Sequence, residues 1–151
     1  MQYFSWAKSF VRGDLGYTSA GEKVSVKLKE RIPNTLLLTL VVIIMTWSVG
    51  VPLGIASAVR KESVLDRLLT LLSSVGMAIP SFFFAILMLL FAVKTGWFPA
   101  GGLTSYNFNE LSFIGKLFDI AKHLVLPSLV LFTISLSGLQ REMRANMLEV
   151  L

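Results

Sequence analysis

Two long uncharged stretches constrain this sequence more than any other feature. Residues 32–59 form a run of 28 between Arg31 and Arg60, and residues 68–93 form a run of 26 between Arg67 and Lys94. An apolar stretch of about 18 residues or more is enough for a helix to cross a bilayer. The composition agrees, since 54% of the 151 residues are hydrophobic and 15% are charged. The sequence therefore excludes a soluble globular domain and a disordered chain.

A third, weaker stretch completes the predicted architecture. Residues 124–140 are 17 uncharged residues, after which apolar positions continue at helical spacing at Met143, Met147 and Leu151. This is the pattern of a helix that leaves the membrane into water. The predicted fold class is all-α, a polytopic integral membrane protein with three transmembrane helices. The predicted segments are 1–31, transmembrane helix 32–59, loop 60–67, transmembrane helix 68–93, loop 94–123, transmembrane helix 124–140 and the exit segment 141–151.

Short amphipathic segments are predicted outside these spans. Val24, Leu28 and Ile32 share one face of a helix, which suits a short interfacial helix ended by Pro33. Val24, Val26 and Leu28 alternate, which suits a strand equally well. A second short interfacial helix is predicted over 116–122.

Lysine and arginine give two indications of orientation. Segments 1–31 and 94–123 hold nine of them in 61 residues, whereas 60–67 and 141–151 hold five in 19. Raw count makes the first pair of segments cytoplasmic, and density makes the second pair cytoplasmic. Density in short loops is the better guide, so we expect 60–67 and 141–151 in the cytoplasm. The basic cluster at Lys27 to Arg31 argues the other way.

Glycine and proline mark expected sites of bending and close packing. Gly50 and Gly54 form a GxxxG pair that permits close helix approach. Pro52 and Pro80 each lack a backbone donor, so each is expected to kink its helix.

A polar face is predicted on the second span. Thr70, Ser74, Met77 and Ser81 fall on one narrow side of a helix. Lipid disfavours hydroxyl groups, so this face should point into protein or into a water-filled cavity. Helix packing and the lining of a solute path both remain open.

The residues of an enzyme are not found in the sequence. It contains no cysteine, no metal-spaced histidines and no nucleotide-binding or hydrolase motif. Its one histidine, His123, is expected at the membrane interface. The first two spans hold no ionisable side chain, so if the protein moves a solute we expect the energy to come from elsewhere. We predict no catalytic residues, no cofactor, no metal and, despite a net charge of +5, no nucleic acid partner.

The order of several motifs resembles a known family. The chain is similar to permease subunits of bacterial binding-protein-dependent ABC importers of the oligopeptide, dipeptide and nickel branch. The stretches that carry the resemblance are RGDLGYT (12–18), ERIPNTLLLTL (30–40), GVPLGIASAVR (50–60), LDRLLT (65–70), AIPSFFFAILM (78–88), GWFPAGG (96–102), HLVLPSLVL (123–131) and REMRANMLEVL (141–151). No single stretch is decisive, but together they are specific and cover nearly the whole chain.

The resemblance implies a fold and a mechanism. The sequence would correspond to about the second to fourth of some six spans in a type I ABC importer bundle of the bacterial inner membrane. The absent parts would be the first span, the coupling segment after MLEVL and the last two spans. Segments 1–31 and 94–123 would then be extracytoplasmic. The implied partners are a second permease subunit, two cytoplasmic ATPase subunits, an extracytoplasmic solute-binding protein and the lipid bilayer.

Three charged residues near the end of the sequence are candidates for contact with the ATPase. The family's order of segments places Arg141, Glu142 and Arg144 just before the coupling region. The alternative is that the arginines anchor the span at the headgroups. For the whole chain, the alternative to a permease is a small three-span interaction or assembly protein, or a non-functional remnant of a permease.

Overall fold

The computed structural model describes residues 2–150, and at Gln2 and Ser5 the backbone alone. Met1 and Leu151, which end two of the predicted segments, lie outside the described residues. Within these residues five α-helices and one short 3-10 turn form, in agreement with the predicted all-α class. In chain order they are α1 Gln2–Val11, α2 Val24–Val59, α3 Val64–Ala78, α4 Ser81–Thr95, the turn Phe108–Glu110 and α5 Phe113–Val150.

The chain divides into two compact units, and the boundary falls after Leu37, inside α2. The first unit holds α1, a loop with three glycines at positive φ, and the start of α2. In α1 the rings of Trp6 and Phe10 lie 5.4 Å apart. The second unit holds the rest of α2 and all of α3, α4 and α5.

Helix α2 corrects the prediction for residues 24–33. The helix begins at Val24 and runs through Pro33 and Pro52 to Val59, so the strand alternative and a helix end at Pro33 are both wrong. A proline inside a helix lacks the backbone donor that would bond the carbonyl four residues earlier. For Pro33 that carbonyl belongs to Lys29. Lys29 is exposed, so water or headgroups can satisfy that carbonyl.

The second uncharged stretch forms two helices rather than one. Ile79, which precedes Pro80, is held in an extended conformation (φ −79°, ψ 119°) and ends α3. A residue before proline is pushed out of the helical region by the proline ring. Helix α4 starts immediately afterwards at Ser81, and α3 and α4 meet at 89°.

Helix α5 joins three predicted segments into one element. It begins at Phe113, where the Ser112 hydroxyl accepts a hydrogen bond from the Gly115 amide, and it runs through Pro127 to Val150. The predicted helix at 116–122 is therefore the first part of α5. At about 1.5 Å per residue, α2 (36 residues) and α5 (38 residues) are both longer than the membrane's hydrocarbon core.

The helices provide two or three candidate membrane spans, where the sequence predicts three. Helices α2 and α5 are each long and apolar enough to cross a membrane, and the bent pair α3–α4 makes a third span if it counts as one. Most large apolar side chains on these helices are exposed. In a membrane protein such faces contact lipid or other helices.

Candidate functional site

A short turn connects α2 to α3 and prepares the start of α3. Ser63 caps the helix, because its hydroxyl accepts a hydrogen bond from the Asp66 amide at 3.2 Å. A capping hydroxyl satisfies one of the free amides of the first helical turn. Glu62, just before the cap, is the one non-glycine residue among residues 2–150 with a positive φ, at 64°. That conformation costs about 1–2 kcal/mol for a residue with a side chain.

The Asp66 carboxylate is the centre of the site. Oδ1 accepts hydrogen bonds from the Ser57 hydroxyl at 2.5 Å and from Arg144 Nε at 2.6 Å. Oδ2 accepts from the Glu62 amide at 2.9 Å and from Arg144 Nη2 at 2.8 Å. We call Ser57, Glu62, Asp66 and Arg144 the Asp66 cluster. It joins the end of α2, the turn, the start of α3 and the last third of α5.

The Asp66 carboxylate needs these bonds because it is buried. Asp66 is 3% exposed and Ser57 is fully buried, whereas the Arg144 side chain keeps 28% of its surface. A buried carboxylate is tolerated when it is paired and its remaining lone pairs accept hydrogen bonds. Both conditions are met here, and the two parallel bonds from Arg144 fix the direction of the guanidinium as well as its distance.

Further polar bonds continue along the α3–α5 interface. The Ser73 hydroxyl donates to Gln140 Oε1 at 2.5 Å, and Arg141 Nη2 donates to the Ser74 hydroxyl at 3.2 Å. As α3 advances from Asp66 to Ser73, the partner on α5 moves back from Arg144 to Gln140, so the two helices are antiparallel. Gln140 is 2% exposed, and its Nε2 has no hydrogen-bond partner within residues 2–150.

Glycines allow the helices to approach closely. A Cβ built on Gly54 of α2 would lie 2.5 Å from Met143 Cβ and 3.1 Å from the Gln140 carbonyl oxygen of α5. On α3, a Cβ at Gly76 would overlap the Ser137 hydroxyl. Small residues at such contacts are what permits close packing of membrane helices.

The predicted polar face of the second span lies beside this interface. Thr70, Ser74, Met77 and Ser81 are all exposed in this chain, and of the four it is Ser74 whose side chain bonds α5. The buried positions of α3 are the adjacent Asp66, Ser73 and Gly76. Helix packing and a solute path therefore stay as the two predictions for the exposed face.

The predicted ATPase-facing residues differ in their surroundings. Arg144 is held by Asp66, and Arg141 reaches Ser74 but is exposed. Glu142 is exposed. Contact with an ATPase stays a prediction for all three, and the structure adds that the Arg144 guanidinium already has a partner.

A second candidate region lies between α4, α5 and the loop at 99–102. An apolar cleft of about 430 Å³ is bordered by Ala92, Leu126 and Val130, with His123 at its wall. His123 is buried, and its Nδ1 lies 2.8 Å from the Asp119 carbonyl oxygen. Within residues 2–150 no group of three potential metal ligands comes together.

Asp119 organises the loop before the apolar part of α5. The Ser105 hydroxyl and the Ser105 amide both donate to its carboxylate, the amide at 2.8 Å. These bonds hold the pKa of Asp119 below its usual range, because they stabilise the charged form. These bonds fix the loop at residue 105 to α5. The point of attachment, Asp119, lies five residues before the uncharged stretch that begins at Leu124.

Sequence reasoning missed the central residue. Asp66 lies in the charged stretch RKESVLDR and resembles a solvated loop charge. One available signal was the pattern Ser63-x-x-Asp66, which is typical of a helix start. The pairing with Arg144, 78 residues away, carries no local signal.

Comparison with known proteins gives a consistent result. Residues 50–151 match the family model described as binding-protein-dependent transport system inner membrane component. The oligopeptide transport system permease protein AppB of Bacillus subtilis is 42% identical, over 100% of this chain and 47% of its own length. The oligopeptide transport system permease protein OppB of Mycobacterium bovis is 32% identical, over 99% of this chain and 48% of its own length.

The chain spans about half the length of these curated relatives. The description of the family as an inner membrane component agrees with helices that are long and apolar enough to cross a membrane. The Asp66 cluster and its contacts on α3 and α5 lie within the matched residues. Since residues 50–151 match one family model and peptide permeases match along the whole sequence, this chain belongs to the inner membrane components of binding-protein-dependent transport systems.

Proposed function

We propose that this chain forms part of the membrane-spanning permease of an ATP-driven importer for peptides delivered by a solute-binding protein. The observation that carries the proposal is the match of its full length to proteins named oligopeptide transport system permeases. Its helices suit the task, because α2 and α5 are long and apolar enough to span a membrane, and many of their large apolar side chains are exposed and could contact lipid or a second permease subunit. The chain itself would hydrolyse no ATP.

The proposal includes an orientation. The end of α2, the 60–63 turn, the start of α3 and the last part of α5 meet at the Asp66 cluster, so these segments share one end of the second unit. We place that end, with 60–67 and 141–150, in the cytoplasm, where two ATPase subunits would contact it. Segments 1–31 and 94–123 would then be extracytoplasmic, facing the solute-binding protein.

A chimeric permease tests the function. The matching half of Bacillus subtilis AppB is replaced by this chain and expressed with the other subunits of that transport system, in cells lacking their own copy of AppB. We expect uptake of a labelled peptide that stops when the ATPase subunits cannot hydrolyse ATP. A chimera that inserts at the level of intact AppB and yet takes up no peptide would refute the proposal.

Cysteine labelling tests the orientation, because the sequence contains no cysteine. Ser63 caps α3 and Ser105 bonds Asp119, so Lys61→Cys and Tyr106→Cys are better probes of the two loops. Both side chains are exposed, Tyr106 fully. In intact cells we expect an impermeant thiol reagent to label Tyr106→Cys and not Lys61→Cys. The reverse pattern would invert the proposed topology.

A further inference from the structure

We infer that Asp66 is a positioning residue for the proposed transport cycle. Through Arg144 it fixes the final segment of α5, residues 145–150, relative to the turn at 60–63. The inference rests on the proposed function, in which α5 leaves the membrane towards the ATPase. Movement at one of the two segments would then be transmitted to the other.

The geometry of the carboxylate supports a fixed connection. Each oxygen of Asp66 takes one bond from Arg144 and one from the α2–turn side, from Ser57 or from the Glu62 amide. Rotation of the carboxylate would therefore break bonds on both sides at once. A single bond from a lysine would fix distance but not direction.

Within residues 2–150, few other polar contacts restrain the segment 145–150. Beyond Arg144 the chain continues as helix to Val150, and Ala145, Asn146 and Glu149 are exposed. Met147 and Leu148 are half-buried. Their apolar packing holds the segment but does not fix its orientation. The bidentate pair at Arg144 is the last polar contact between α5 and the rest of the second unit within residues 2–150.

Helix packing alone gives a weaker account of this pair. The close contacts at Gly54 and Gly76 and the bond between Ser73 and Gln140 already hold α5 against α2 and α3. A buried ion pair is often no more stabilising than apolar residues of the same size. What the pair adds is a defined direction for the helix end.

The test uses the chimeric permease assembled with its ATPase subunits. Asp66→Asn removes the charge and keeps the shape, and Arg144→Lys keeps the charge but loses the two parallel bonds. Lys61→Gln is the matched control, since it removes a charge from an exposed side chain of the same turn. Two quantities are measured: peptide transported per ATP hydrolysed, and the rate at which a glutamate-specific protease cleaves after the exposed Glu149 in the solubilised complex.

For Asp66→Asn we expect about a tenfold fall in peptide transported per ATP and about a tenfold rise in cleavage, because residues 145–150 open locally more often. Arg144→Lys should change both in the same direction by about two- to threefold. Lys61→Gln should change neither. If Asp66→Asn does not assemble with the other subunits, the same two measurements on Arg144→Lys decide whether the inference holds.

Two results would overturn the inference. One is a proportional loss of transport and ATP hydrolysis, with their ratio unchanged, which is what a purely stabilising role predicts. The other is unchanged cleavage after Glu149 in Asp66→Asn. If the unmutated chimera fails to transport, the proposed function fails, and the cleavage rate still decides whether Asp66 holds the end of α5.

Discussion

Helices α3 and α4 have the same length, 15 residues each, yet they are held in place by different forces. Helix α3 begins with a serine cap and buries Asp66, Ser73 and Gly76 against α5. Helix α4 has no side-chain cap, consists mainly of aliphatic and aromatic residues, and buries Ala92 alone. Both contact the same partner, α5.

The difference shows how a membrane helix obtains a fixed register. Between apolar helices in lipid there is little hydrophobic driving force, so close contacts and hydrogen bonds determine position. Helix α3 has both kinds of contact, at positions that match one register on α5. Helix α4 contacts α5 through apolar packing, which does not select one register, and an apolar cleft remains between the two helices. We therefore expect α3 and α5 to move together as one rigid unit. Substitutions in α4 should affect stability less than substitutions in α3.

The largest expected effect comes from closing the space at Gly76. Gly76→Ala places a methyl group on the Ser137 hydroxyl, which donates to the Thr133 carbonyl at 2.8 Å. We expect a loss of about 2 kcal/mol, measured as a lower midpoint of thermal unfolding in detergent. Gly138→Ala is the control, because its Cβ would meet nothing within 4 Å. It should gain up to about 1 kcal/mol from helix propensity; equal effects of both changes would remove the argument for close packing.

A smaller effect is expected from the bond next to the Asp66 cluster. Ser73→Ala removes the hydroxyl that donates to the Oε1 of the buried Gln140 side chain. We expect a loss of about 1 kcal/mol, within the range measured for hydrogen bonds between membrane helices. Ser81→Ala, at the exposed start of α4, should change the unfolding midpoint by almost nothing. A larger effect at Ser81 than at Ser73 would reverse the comparison of the two helices.

The smallest expected effect has the opposite sign. Glu62→Gly relieves the left-handed conformation at φ 64° and keeps the backbone amide that donates to Asp66. Relief of strain outweighs the added freedom of the unfolded chain by about 0.5 kcal/mol. The unfolding midpoint should therefore rise slightly. A clear fall would mean that the Glu62 side chain, rather than its amide, supports the start of α3.

Sequence reasoning succeeded where one stretch of chain determines the result. The first and third uncharged runs predicted helices long and apolar enough to cross a membrane, and the motifs indicated the family that the comparisons establish. The prediction of a helix end at Pro33 was wrong, because the residue whose carbonyl loses its partner there, Lys29, is exposed and that carbonyl needs no internal donor. Sequence reasoning missed Asp66 because a loop aspartate becomes a buried ion pair only when α5 returns to it. Local patterns predict helices, whereas the bonds between helices depend on the fold.

The bend between α3 and α4 has a consequence for hydration. The first amides of any helix lack acceptors within it, and at the start of α4 these belong to Ser81, Phe82 and Phe83. Phe84 is the first to find one, the Pro80 carbonyl at 3.1 Å. Hydrocarbon offers no acceptor at all. The space next to these three amides must therefore hold water or be covered by protein, and acyl chains cannot fill it.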